Sequence, residues 1–167
     1  YKDGVLVDTE TEKTTVQYLE PNTMSVDKTK INTVDKYDGY YFVSTEPENI
    51  PDTVTTGTVI KVNYEIRRDL SYTVEYYFNG TKDNSLTEIV NNQTFNDEIT
   101  SYPDKIKAGY KLEKVETLPL TITTGENLIK VFYVTDDSQT KELSYTVEYY
   151  KDGVLVDTET EKTTVQY

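Results

Sequence analysis

The chain has no cysteine, no histidine and no tryptophan among its 167 residues, and a single methionine. Without cysteine there is no disulfide and no thiol nucleophile. Without histidine there is neither a histidine-based catalytic triad nor an ordinary zinc site. A pair of carboxylates for glycoside hydrolysis survives these exclusions, but units as small as those found below leave little room for a deep cleft, so no enzyme activity, cofactor or metal is expected. Positive charge is scarce as well: 17 Lys and Arg stand against 30 Asp and Glu, a net charge of −13. Such a field repels nucleic acid and anionic lipid, which excludes both as partners. No run approaches the roughly 20 apolar residues of a membrane span, and no signal peptide or anchor is visible, so this segment is not expected to insert in a membrane.

What is abundant points to β structure. Sixteen tyrosines and four phenylalanines accompany many Val, Ile and Thr residues, a composition suited to pleated, half-buried strands and unlike that of a disordered acidic tail. The residues are also repeated. Residues 1–18, YKDGVLVDTETEKTTVQY, recur unchanged as residues 150–167, at a separation of 149 residues. Folding does not enforce identity at solvent-facing positions such as Thr9, Glu12 and Lys13, so the segment is copied and the chain is expected to be a window on a tandem array.

A diverged copy lies inside that period. LSYTVEYY occurs at residues 70–77 and again at 143–150, a step of 73 residues. The closing segment recurs as Thr55-Thr56-Gly57 with Ile60 to Tyr64, and Thr123-Thr124-Gly125 with Ile129 to Tyr133; Gly-Tyr steps sit between at 39–40 and 109–110. The expected organisation is therefore a first repeat over residues 1–66 without its first strand, a complete second repeat over 70–134, and the first hairpin of a third over 143–167. The two linkers differ, a tight one at 67–69 and a longer acidic one at 135–142, which predicts unequal hinging.

Within a repeat, period-two alternation places Leu143, Tyr145, Val147 and Tyr149 on one face of a strand. A two-residue turn follows, spelled Asp3-Gly4, Asn79-Gly80 and Asp152-Gly153, pairs that tolerate the positive φ of a type I′ hairpin. Counting outward pairs Lys151 with Val154, Tyr150 with Leu155 and Tyr149 with Val156. The last strand puts Ile60, Val62, Tyr64 and Ile66 on one side. Residues 24–36 and 96–107 show no sustained helical stripe, so a loop with a short helix or strand is expected there.

The order YTVEYY, a short turn, then SYPDKIKAGYKLEKVETLPLTIT and IKVFY resembles the mucin-binding-protein (MucBP) repeats of Gram-positive surface adhesins. The resemblance covers essentially all of the second repeat. It is looser over the first, whose 24–36 region is longer and lacks the Tyr102-Pro103-Asp104 step. It implies a mainly β, β-grasp-like fold with at most one short helix per repeat, arranged end to end as a rod in an extracellular protein, cell-wall-attached or secreted. The partners would then be neighbouring repeats or copies of the chain itself, in a stalk or filament. The alternative is a module that binds host mucin glycans by avidity across repeats. For glycan contact the residues to consider are Tyr102 and Tyr110, beside Pro103 and Gly109 in the less regular segment. Tyr72, Tyr76, Tyr77, Tyr145, Tyr149 and Tyr150 are already explained as cross-strand packing.

Other candidates reduce to simpler roles. Asp83-Asn84 and Asp136-Asp137 lack the spaced acidic loop of a calcium site and read as turn charge. The sequons at Asn79 and Asn92 carry no further signal. Lys61 and Lys130 fall on the polar face of the last strand, whereas an isopeptide crosslink needs burial. Finally, Val5, Val7 and the strand at 143–149 are expected to need covering. Two routes are open, donation of the terminal strand to another molecule or a continuous array, and competition between the duplicate segments for one place favours the array.

Overall fold

The computed structural model describes all 167 residues. The chain is mainly β. The first strands are β1 (Thr23–Ser25), β2 (Tyr40–Glu46), β3 (Thr53–Thr55), β4 (Lys61–Ile66) and β5 (Leu70–Phe78). They are followed by β6 (Thr81–Lys82), β7 (Glu88–Gln93), β8 (Glu98–Ile99), β9 (Tyr110–Glu116) and β10 (Leu120–Thr121), then β11 (Leu128–Thr135), β12 (Thr140–Lys151) and β13 (Val154–Gln166). The only helical pieces are two 3₁₀ turns: Lys28–Lys30 lies in the weakly patterned stretch 24–36, whereas Asn84–Leu86 lies outside 96–107, which holds only the short strand β8. Asp27 and Asp83 cap them by accepting from the backbone N–H two residues on. By contacts the residues group into two compact units. One comprises Tyr1–Tyr72, Val90–Glu98 and Thr121–Asn127; the other comprises Thr73–Ile89, Ile99–Leu120 and Leu128–Tyr167.

In the first unit β2 and β4 pair antiparallel from Tyr40↔Ile66 to Glu46↔Lys61, and β1 pairs β3 with Met24 opposite Val54. Tyr64 is the buried anchor, with Tyr37 and Phe42 edge-on to its ring at 5.2 and 6.3 Å. Its hydroxyl donates to the backbone oxygen of Asn32, which ties the 24–36 loop to the sheet. The far edge of β4 is met only by residues 1–3. The Tyr1 ammonium donates to the Val62 carbonyl, Tyr64 N–H to the Tyr1 carbonyl, and Asp3 N–H to the Tyr64 carbonyl, each at 2.9 Å. Lys2 thereby lies parallel to Tyr64. From residue 6 to 17 no ladder forms, and the segment is held by ion pairs of Lys36 with Asp8 and Glu10 and of Lys30 with Glu12.

In the second unit β11 lies between β5, which it pairs parallel, and β9, which it pairs antiparallel. Alternation decides the core. Ile129, Val131 and Tyr133 of β11 and Val74 and Tyr76 of β5 are buried at 1% exposure or less, while Lys130 and Phe132 turn to the other face. Each such side chain contributes about 1.5–3 kcal/mol by burial. Phe78 stacks on Tyr133 at 5.1 Å and Tyr77 on Phe132 at 4.8 Å.

The β12–β13 hairpin departs from the sequence expectation in three ways. Lys151 does pair with Val154 and Tyr150 with Leu155, but Tyr149 lies opposite Asp157 and not Val156. A bulge at Val156 absorbs one residue, which counting along an unbroken ladder cannot foresee. The acidic linker is also shorter than residues 135–142, because β11 runs to Thr135 and β12 starts at Thr140. The intervening Asp136 carboxylate accepts from Ser138 N–H and hydroxyl at 3.0 and 2.6 Å, and from the Gln139 amide at 3.1 Å. Third, the face carrying Leu143, Tyr145 and Tyr149 is 48, 63 and 46% exposed.

Candidate functional site

The best-defined feature is a joint built twice from equivalent residues. Within the first unit, Gly39 has φ +78° and lies so close under the Phe95 ring that a Cβ there would approach ring carbons to 2.2 Å. Tyr40 meets the same ring edge-on at 6.3 Å. Backbone bonds lock the step: Arg67 N–H donates to the Gly39 carbonyl at 2.8 Å, and Phe95 N–H to the Arg67 carbonyl at 2.9 Å. The Thr124 hydroxyl donates to Asp38 at 2.7 Å beside them. Within the second unit the arrangement recurs. Gly109, at φ +87°, faces Tyr167, whose Cβ lies 2.7 Å from where a glycine substituent would stand. Asp136 N–H donates to the Gly109 carbonyl at 2.8 Å and Tyr167 N–H to the Gln139 carbonyl at 3.4 Å. The Gln139 side chain closes this copy, accepting from Gly109 N–H at 2.7 Å and donating to the Tyr110 carbonyl at 3.0 Å.

Each joint therefore packs an aromatic against a Gly-Tyr corner of the same compact unit. Sequence reasoning found the Gly-Tyr corners and missed the aromatics. The signal was spacing: Tyr167 lies fourteen residues after Gly153 and Phe95 fifteen after Gly80. Tyr18, fourteen after Gly4, holds the equivalent position and is fully exposed.

Tyr110 is half-buried with its ring edge-on to Phe78 at 5.0 Å. Tyr102 is half-buried in a segment pinned to the core by hydroxyls, where desolvation and the nearby Asp104 raise its phenol pKa. Tyr76 donates to the Pro103 carbonyl, and Tyr133 donates to Asp104 at 2.5 Å while accepting from Lys105 N–H at 3.1 Å. Burial, with Asp104 as acceptor, pushes the Tyr133 phenol far above its ordinary value. Lys105 pairs with Glu88, donates to the Leu86 carbonyl at 2.9 Å, and stands 5.2 Å from the Tyr76 ring.

The remaining candidates have local work. Asp3, Asn79 and Asp152 have φ of 50, 49 and 45°, and Gly4, Gly80 and Gly153 of 81, 80 and 78°, so each pair turns its hairpin with two left-handed residues. Asp83 accepts from Ser85 and pairs with Lys107 at 2.6 Å; the lysine bond first, then the serine hydroxyl, hold its carboxyl down at about 2. Lys61 is exposed, 5.3 Å from the Tyr1 ring, and Lys130 lies 5.8 Å from that of Tyr77. Compared with protein-family models, curated proteins and solved structures, the chain matches none.

Proposed function

We propose that this chain is a stretch of tandem β modules from an extracellular surface protein, cell-wall-attached or secreted and of the mucin-binding-repeat kind, whose work is to extend as a stalk or filament. The observation that carries this reading is the joint used twice, Gly39 with Phe95 and Gly109 with Tyr167. A joint repeated from equivalent residues sets a repeatable geometry from module to module, which is what an end-to-end array requires. Strong negative charge and the missing catalytic side chains accord with a spacer. Small-angle scattering tests it: the full chain gives the profile of a rod, and Gly109→Ala loosens it. A compact spherical profile would contradict the reading. Retention on mucin that is lost in Tyr102→Ala would move the function from spacing to recognition.

A further inference from the structure

The two repeats fill one pair of positions with the same two kinds of side chain in opposite order. Backbone bonds match the positions. Asp3 N–H donates to the Tyr64 carbonyl as Asn79 N–H does to that of Tyr133, and Tyr40 N–H donates to the Tyr37 carbonyl as Tyr110 N–H does to that of Lys107. Lys2, just before the first turn, is therefore the counterpart of Phe78. Tyr37, two residues before its corner glycine, is the counterpart of Lys107. Within the first unit the hairpin supplies the cation and the corner supplies the ring: Lys2 Nζ lies 4.3 Å from the Tyr37 centroid and 4.6 Å from that of Tyr40. Within the second unit the hairpin supplies the ring and the corner the cation, with Lys107 Nζ 4.1 Å from the Phe78 centroid. In both, the ring meets the buried tyrosine of the last strand, Tyr37 edge-on to Tyr64 at 5.2 Å and Phe78 stacked on Tyr133 at 5.1 Å. One aromatic slot is thus filled from the corner in one repeat and from the hairpin in the other.

The strand itself does not declare which repeat it belongs to, because LSYTVEYY is identical at residues 70–77 and 143–150. The first residue to differ is the one at this contact, Phe78 against Lys151, and Lys151 repeats Lys2. We propose that this residue and its corner partner are a matching code that seats each hairpin on the corner of its own repeat type, lysine hairpins on a tyrosine corner and the phenylalanine hairpin on a lysine corner. Each crossed combination is unfavourable. A lysine hairpin on the Lys107 corner brings two ammonium groups together and leaves the slot beside Tyr133 without a ring. A phenylalanine hairpin on the Tyr37 corner brings two rings to one slot and no cation to cover them. Neighbouring repeats with identical strands need discrimination of this kind, in which the wrong pair is penalised as well as the right one favoured. The inference rests on the equivalence of the repeats and not on the stalk reading.

Double-variant cycles in the full chain test it, read as denaturant midpoints. In the second unit Phe78→Lys should lower the midpoint, and adding Lys107→Tyr, which spells the first repeat's pair, should restore at least about half of that loss. In the first unit the roles reverse, with Tyr37→Lys the damaging change and Lys2→Phe the restoring one. Lys107 also pairs with Asp83 at 2.6 Å, but that pair is lost in both legs that carry Lys107→Tyr and cancels in the coupling. A milder arm keeps the core intact and decides the matter where Phe78→Lys prevents folding. In an Asp83→Asn background, which lacks the ion pair, Lys107→Gln should still lower the midpoint because the ring loses its cation, and Phe78→Leu should remove that remaining effect. Losses that merely add in either unit overturn the proposal. So does a Lys107→Gln effect that survives Phe78→Leu unchanged.

Discussion

Glycine at 39 and 109 is demanded twice over, by positive φ and by an aromatic pressed against the missing side chain. Gly57 separates the two demands, since it has φ +82° with nothing within 4 Å of a would-be Cβ. Gly57→Ala should cost about 1 kcal/mol from backbone strain alone. Gly39→Ala adds overpacking against Phe95 and should cost about 2–4 kcal/mol, read from denaturant midpoints at constant slope. Equal losses at the two sites would show that Phe95 yields freely. Asp83 gives a prediction in pH. Its carboxyl is held at about 2, below the roughly 4 of an unfolded aspartate, so the stability it contributes is present above about pH 4 and is lost as the pH falls toward 2. Asp83→Asn keeps the acceptor for Ser85 and removes the Lys107 pair. The variant should melt below the parent at pH 7 and converge with it near pH 2; a constant gap across that range would place the effect in the turn and not in the ion pair.

Strand by strand, one sequence meets two environments. LSYTVEYY is a sealed core strand in β5 and an uncovered arm in β12, and residues 154–166 form a long strand in β13 while the identical residues 5–17 form none. Val74→Ala should therefore cost about 2–3 kcal/mol and Val147→Ala less than about 0.5 in dilute solution, compared by thermal unfolding of the two variants. Comparable losses would mean that β12 is covered in the free chain. The pair also shows what the sequence could and could not declare. Alternation and the Asp-Gly and Asn-Gly turns announced the hairpins and the inward face of the last strand, because those are local properties of φ and side-chain direction. Whether Leu143 and Tyr145 are buried depends on a neighbouring strand tens of residues away, and no local pattern encodes it. The Val156 bulge escaped for a related reason: an extra residue leaves the composition of a strand unchanged. Phe95 and Tyr167 were visible only as a spacing that matches to within one residue, and a lone aromatic in a polar stretch has no periodicity to mark it.

Charge on the whole chain opposes any association between copies, and that opposition can be measured. Each copy carries −13, so two copies repel at long range. Within the chain, Lys130 lies opposite Glu75 across β11 and β5 and is among the groups that lower the Glu75 carboxyl, after Lys82, its main partner. An exposed pair of this kind contributes at most about 1 kcal/mol. The repulsion sums over all the excess acidic residues and extends across a Debye length of roughly 30 Å at 0.01 M salt, shrinking to about 8 Å at 0.15 M. Repulsion therefore dominates at low salt, and association measured by sedimentation should strengthen as salt rises between those two concentrations. Lowering the pH toward the isoelectric point near 4.4 should strengthen it at fixed low salt, because the net charge vanishes there while Asp83 stays ionised in its pair with Lys107. Weakening with added salt, together with no gain on approaching pH 4.4, would mean that local attraction between opposite charges outweighs the field of the whole molecule.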